Sequence, residues 1–159
     1  MADKMGDTNR QMLTFTLGAE TFGVDILSVQ EIRGWSPVTR VPQTAGYVLG
    51  VLNLRGAIVP IVDLRLRFQL ARAEYDALTV IIVLSVNGAG GRREVGVVVD
   101  AVSEVVDVGA GDLRPAPDLG HAAMEHISGL LPVGERMVIL LDVDRLVGSR
   151  IDELEQRAA

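Results

Sequence analysis

Few residues in this 159-residue chain have the types and spacing that catalysis needs, and each of them has a plainer explanation. His121 and His126 are the only histidines, placed either side of Glu125 in a stretch rich in Pro and Gly. A metal ion there would need a third and a fourth ligand. The chain has no cysteine and no further ligand can be placed, so the pair reads as loop residues, and neither a metal nor another cofactor is implied. Gly88-Ala89-Gly90-Gly91 could cradle a phosphate only if a helix came next and aimed its N-terminus at the anion. The chain instead runs into Val95-Gly96-Val97-Val98-Val99, a strand pattern, so the glycines read as a hairpin tip. Ser128 has Gly129 after it but Glu125 and His126 before it, which is not a nucleophile elbow. Asp142 and Asp144 would diverge on a helix and do not make a glycosidase-like pair. Asp142 reads instead as the N-cap of a short helix over 143–147, as Asp63 reads for 64–68. The reading is of a protein that is not an enzyme and that neither hydrolyses ATP nor binds it tightly.

Two features point to recognition. Arg55, in Gly50-Val51-Leu52-Asn53-Leu54-Arg55-Gly56, is flanked by apolar residues and a Gly and calls for a carboxylate partner, for which Glu31 is the plausible choice. The pair either fixes two segments of the fold to one another or shapes a partner surface. Ile26, Val29 and Ile32 recur at i, i+3 and i+6, which predicts a short amphipathic helix over 26–33. Its stripe suits core packing, and edged by Gln30, Glu31 and Arg33 it also suits a partner helix.

The elements that must position these residues are mostly strands. Short β-branched runs at 13–17, 57–62, 79–86, 95–99 and 136–141 are apolar nearly throughout, as in strands that close a small barrel or lie between two layers. Gly18-Ala19-Glu20-Thr21 and the Gly88 cluster read as the turns of two hairpins. The chain also repeats itself. Residues 23–32 lie over 96–105, Pro42 over Pro115, Gly50 over Gly129 and 58–64 over 137–143, with an insertion around 119–124. Each half then reads as hairpin, short helix, Pro turn, Gly, strand, Asp and short helix, which predicts two small β-barrels related by a pseudo-twofold. Arg55 breaks the repeat and has no twin in the second half. How the strands are shared between the barrels is left open.

Composition bounds the rest. A 48% hydrophobic chain of this length can bury roughly 70% of its unfolded surface. A formal charge of −6 argues against a nucleic-acid partner, and six aromatic residues are too few for base-stacking platforms. No apolar run approaches the length that spans a bilayer and no signal peptide is visible, so membrane insertion is not expected and the protein reads as cytosolic. Residues 1–11 read as a disordered leader and 149–159 as a charged tail.

Val29-Gln30-Glu31-Ile32-Arg33-Gly34, Val38-Thr39-Arg40-Val41-Pro42, the run from Gly50 through Asn53-Leu54-Arg55-Gly56 into Ile58-Val59-Pro60-Ile61-Val62-Asp63-Leu64-Arg65, and Val97-Val98-Val99-Asp100-Ala101-Val102 together resemble the CheW family of bacterial chemotaxis coupling proteins. The resemblance covers residues 12–148. It implies a mainly β fold of two pseudo-symmetric SH3-like five-stranded barrels with short helices, drawn here as 12–75 and 76–148. It also implies a non-enzymatic scaffold joining the cytoplasmic tip of a chemoreceptor to the regulatory domain of the histidine kinase CheA, at membrane-associated receptor arrays. A receptor helix would lie in a groove between the barrels, at Val29, Glu31, Ile32, Arg55 and Val98. The kinase, whose domain has the same fold, would meet one end near Arg40 and Val41 and the other near Leu113, Arg114 and Ile127. A coupling protein of a pilus or biofilm array, and a small-ligand barrel, are the alternatives.

Overall fold

The computed structural model describes residues 10–42, 44, 46–68, 70, 74–88, 90–109, 111–117 and 126–146. The first strands are β1 (Arg10–Leu17), β2 (Glu20–Asp25), β3 (Val29–Gly34), β4 (Val48–Leu54) and β5 (Ala57–Asp63). The second set is β6 (Val80–Gly88), β7 (Gly91–Val99), β8 (Ala101–Val108), β9 (Ile127–Val133) and β10 (Arg136–Leu141). Each set ends in a helical turn, α1 (Leu64–Arg67) and α2 (143–146). Asp63 and Asp142 cap these turns as expected, accepting hydrogen bonds from the Arg65 and Arg145 amides.

The strands form two five-stranded sheets, β8-β1-β2-β10-β9 and β3-β6-β7-β5-β4. Three apolar layers explain why strands such as β6 are apolar on both faces. Ile81 and Val83 turn into the hollow of their own sheet with Val59, Ile61 and Val98. Ile82, Leu84 and Val86 turn the other way, into the layer between the sheets, where they meet Phe15, Leu17, Phe22 and Val24. Met12, Leu131, Val138 and Leu140 fill the hollow of the other sheet.

The division at residue 75 does not coincide with the sheets. Hairpin β1–β2 pairs with β8 and β10 from the second half, and hairpin β6–β7 pairs with β3 and β5 from the first. The halves exchange hairpins, so neither sheet is built from one half alone. The repeat itself is reproduced in register: Gly23 lies beside Leu140 and Gly96 beside Ile61, in the two parallel ladders. A Cβ on Gly23 would fall 2.9 Å from Leu140 Cδ2, and one on Gly96 2.6 Å from Ile61 Cδ1. The same crowded crossing occurs twice, which accounts for a glycine at both places.

The segment read as a helix over 26–33 is a single 3₁₀ turn, Ile26–Ser28, capped by Asp25, followed by strand β3. The helical spacing has a specific origin. Val29 pairs with Leu84 and Ile32 with Ile82, and the register slips between Val29 and Glu31. Gln30 is thus an extra residue in a β-bulge, which puts two residues three apart onto one face of a strand. The second half does the same, with Val102 opposite Phe15 and Val105 opposite Leu13 across another register shift, so its supposed helix is strand β8.

Candidate partner interface

β3 is an edge strand. Val29 is half-buried against the inter-sheet layer, while Ile32 is 45% exposed. Leu27, 82% exposed in the 3₁₀ turn, and Ile58, 64% exposed on β5, add apolar surface that the sequence reading did not single out. Their signal was a large apolar residue in a turn or at a strand start, which periodicity alone does not separate from core.

Arg55 finds the expected partner: its guanidinium lies 2.6 Å from Glu31, which also pairs with Arg33 at 3.3 Å. The contact joins the β4–β5 turn to β3, strands at opposite edges of one sheet, and so bridges the gap across which that sheet would close. Arg55 and Gly56 form a two-residue hairpin loop with φ of 55° and 87°. A side chain at such a φ costs about 1 kcal/mol, which glycine would avoid, and the equivalent turn has Gly134 there. An arginine in that place is consistent with the side chain serving recognition.

The Arg55 hydrogen bond, against some desolvation and with help from Arg33, holds the Glu31 carboxyl below its usual pKa. A lowered folded-state value means that the pair contributes stability above the ordinary glutamate pKa and loses it as pH falls through the lowered one. Since Arg55 is 67% exposed, the pair contributes little to folding. Arg55→Ala should therefore melt close to wild type while Glu31 titrates nearer its ordinary value by carboxyl NMR. An unchanged Glu31 titration would show that the pair is not formed in solution.

Val98 is different. It is fully buried in the hollow of its sheet and cannot touch a partner, because alternation on β7 turns it inward with Gly96.

What positions the end of β3 is a buried polar cluster that the sequence reading reduced to a cap. Arg65, 1% exposed, donates from Nε and an NH2 nitrogen to both oxygens of Asp63, each at 3.0 Å. Its other nitrogen reaches Asp100 at 3.1 Å, whose second oxygen accepts from the Gly18 amide in the opposite sheet. Tyr75 donates to Asp63 at 2.9 Å, lies under the Arg65 guanidinium and stacks on Trp35, just past β3, with ring centres 4.0 Å apart. Burial works against the Arg65 charge, but Asp63 and then Asp100 more than compensate, and its pKa is raised. The signal was present in the repeat, since Asp144 stands where the second half would repeat Arg65.

The two sets of residues expected at the kinase lie at pseudo-equivalent places. Thr39 bridges Val51 as Arg114 bridges Leu130. The bridges align Pro42 with Pro117 rather than Pro115, a two-residue correction to the repeat. Arg40 is exposed and Val41 half-buried; both line a depression of about 500 Å³ with Pro42, Thr44 and Val48. Leu113 packs on the hollow of the β8-β1-β2-β10-β9 sheet, Arg114 is exposed and bonded to the Gly111 carbonyl, and Ile127 opens β9 opposite Leu141. Arg55 also has a counterpart after all. Arg136, at the start of β10, lies 3.6 Å from Glu104 on β8, and Glu104 is the repeat partner of Glu31. It falls out of register with Arg55 because it sits on the other side of the turn. Of the histidines, His121 falls outside the described residues, and His126 is buried with Nε2 2.8 Å from Arg67, linking α1 to the start of β9.

Among the described residues no three His, Cys, Asp or Glu side chains gather to hold a metal ion. A partly exposed apolar edge strand crossed by an ion pair, on two β-sheets that exchange hairpins, is a surface of the kind that binds another protein. The chain belongs to the CheW family of chemotaxis scaffold proteins: the CheW-like domain matches residues 11–150. It is 49% identical to the chemotaxis protein CheW of Klebsiella aerogenes over 146 residues, covering 91% of this chain and 86% of that one. It is 39% identical to CheW of Rhizobium meliloti over 93% of this chain and 94% of the other. The crystal structure of the scaffolding protein CheW from Thermoanaerobacter tengcongensis superposes with a TM-score of 0.79 at 28% identity, covering 87% of this chain and 92% of that one.

Proposed function

We propose that this chain couples chemoreceptors to the chemotaxis histidine kinase without catalysing a reaction itself. The β3 edge, with Val29, Glu31 and Ile32 beside Arg55, takes the helical tip of a receptor, and Arg40 and Val41 at one end and Leu113, Arg114 and Ile127 at the other meet the regulatory domain of CheA. The observation that carries this reading is Ile32, a large apolar residue 45% exposed on an edge strand beside the Glu31–Arg55 pair, in a member of the CheW family. A few such anchors are enough to seat an amphipathic helix. The working place is the cytoplasm, at receptor arrays, and no helix among the described residues is long and apolar enough to cross a membrane.

The test is a pull-down of a receptor signalling fragment and a CheA regulatory domain from the same cell. Ile32→Asp should lose the receptor fragment and keep the kinase domain and the melting temperature, because Ile32 is already half in solvent. Failure of the wild-type chain to retain either partner would overturn the coupling function. Because the two kinase sites lie at pseudo-equivalent ends, charge reversal at Arg40 and Arg114 should impair array-dependent kinase activation while the fold persists.

A further inference from the structure

The hairpins exchanged between the halves differ in length, and the difference opens a site. Measured from the equivalent pairs Thr14–Gly23 and Val83–Gly96, β1–β2 ends at Leu17–Glu20, whereas β6–β7 continues two pairs further, to Gly88–Gly91. The parallel ladder between β5 and β7 nevertheless begins only at Ile61–Gly96. Before that pair the strands part, and the gap is a cleft of about 700 Å³ lined by residues that include Gln30, Ile58, Ser85, Arg92, Arg93 and Glu94.

Its chemistry is distinct from that of the surrounding surface. The chain carries −6 overall, yet two arginines and a single carboxylate are among the residues that line this cleft. Arg92 donates from Nε to the hydroxyl of Ser85 at 3.0 Å, and Ser85 is buried, so the guanidinium is held in place before any ligand arrives. A guanidinium fixed this way loses less freedom on binding a carboxylate. Ile58, 64% exposed, supplies an apolar wall. Gln30, the bulge residue of β3, belongs to the cleft too, which makes it continuous with the surface of Val29, Glu31 and Ile32.

We propose that this cleft extends the β3 surface and takes the acidic edge of an amphipathic helix, its carboxylate on Arg92 and an apolar side chain on Ile58. The inference rests on the coupling function above, in which that helix belongs to the receptor tip. The lining, with Arg92 held on Ser85 and two arginines to one carboxylate, suits an acidic partner better than a basic one. The longer hairpin is then an addition for binding, absent from the half that does not need it.

The test is calorimetric binding of the receptor signalling fragment to the full chain at low and at high salt, with Arg92→Glu and Ile58→Asp as variants at exposed positions. Each should weaken binding at low salt by roughly tenfold or more, and Arg92→Glu should also flatten the salt dependence. Melting temperature and binding of the kinase domain should stay at wild-type values. Wild-type affinity in both variants overturns the cleft and leaves the coupling function standing, as does an equal loss of kinase binding. A wild-type chain that binds no receptor fragment overturns both.

Discussion

Arg65→Leu is expected to lower folding stability by about 3–5 kcal/mol, because it leaves the Asp63 carboxylate buried without its cation. Asp63 and Arg65 are 0% and 1% exposed, so water cannot replace the lost hydrogen bonds without opening the site. Among the described residues only Tyr75 would remain to donate a side-chain hydrogen bond to Asp63. The loss reaches beyond the pair. Arg65 is the link to Asp100, where the chain passes from β7 to β8, and through Asp100 to the Gly18 turn of the other sheet. Asp100→Asn should cost clearly less, since that carboxylate is 25% exposed and keeps the Gly18 amide as a partner. Urea denaturation gives the stabilities, and the single tryptophan gives a local readout, because Trp35 stacks on Tyr75 above the cluster. An Arg65→Leu chain within about 1 kcal/mol of wild type would show that the cluster is not what fixes the end of β3.

The second large effect is expected at Gly50. Its φ is +149°, and a Cβ there would lie 2.0 Å from the Thr39 carbonyl oxygen and 2.7 Å from its carbon. Both are backbone atoms, so no rotamer change can make room. Gly50→Ala must push the 39–40 segment off β4 and break its two hydrogen bonds with Val51, at 3.0 and 2.8 Å. Overpacking and the lost bonds together should cost about 3–5 kcal/mol. The same shift would displace Arg40 and Val41, so the variant should also lose kinase-domain binding under conditions where it is still folded. Gly129 is an internal control. It occupies the equivalent place, but its Cβ would lie 3.1 Å from the Arg114 oxygen and from Leu113 Cδ1, a side-chain atom that can yield. Gly129→Ala should cost only about 1 kcal/mol. Equal losses in the two variants, measured by chemical denaturation, would refute the steric account.

The sequence alone determined the features that depend on local chemistry or on like residues recurring. The β-branched runs, the Asp63 and Asp142 caps, the hairpin tips and the Glu31–Arg55 pair were all legible. So was the repeat, because the crossings of Gly23 beside Leu140 and Gly96 beside Ile61 crowd the Cβ position in the same way and so leave the same mark twice. The tertiary structure alone decided which half supplies each hairpin. Exchanging equivalent hairpins buries the same faces in equivalent surroundings, so the hydrophobic pattern is identical either way. It also decided that Val29 and Ile32 share a strand face, since a bulge counterfeits helical spacing and is visible only through pairing with β6. Val98 and Ile58 show the remaining gap: both are β-branched strand residues, and which of them is buried and which exposed depends on which strand covers it. The Asp63, Arg65, Tyr75, Asp100 cluster was hidden for the same reason, because its members meet only after β5, β7 and the chain leading to β6 have been brought together.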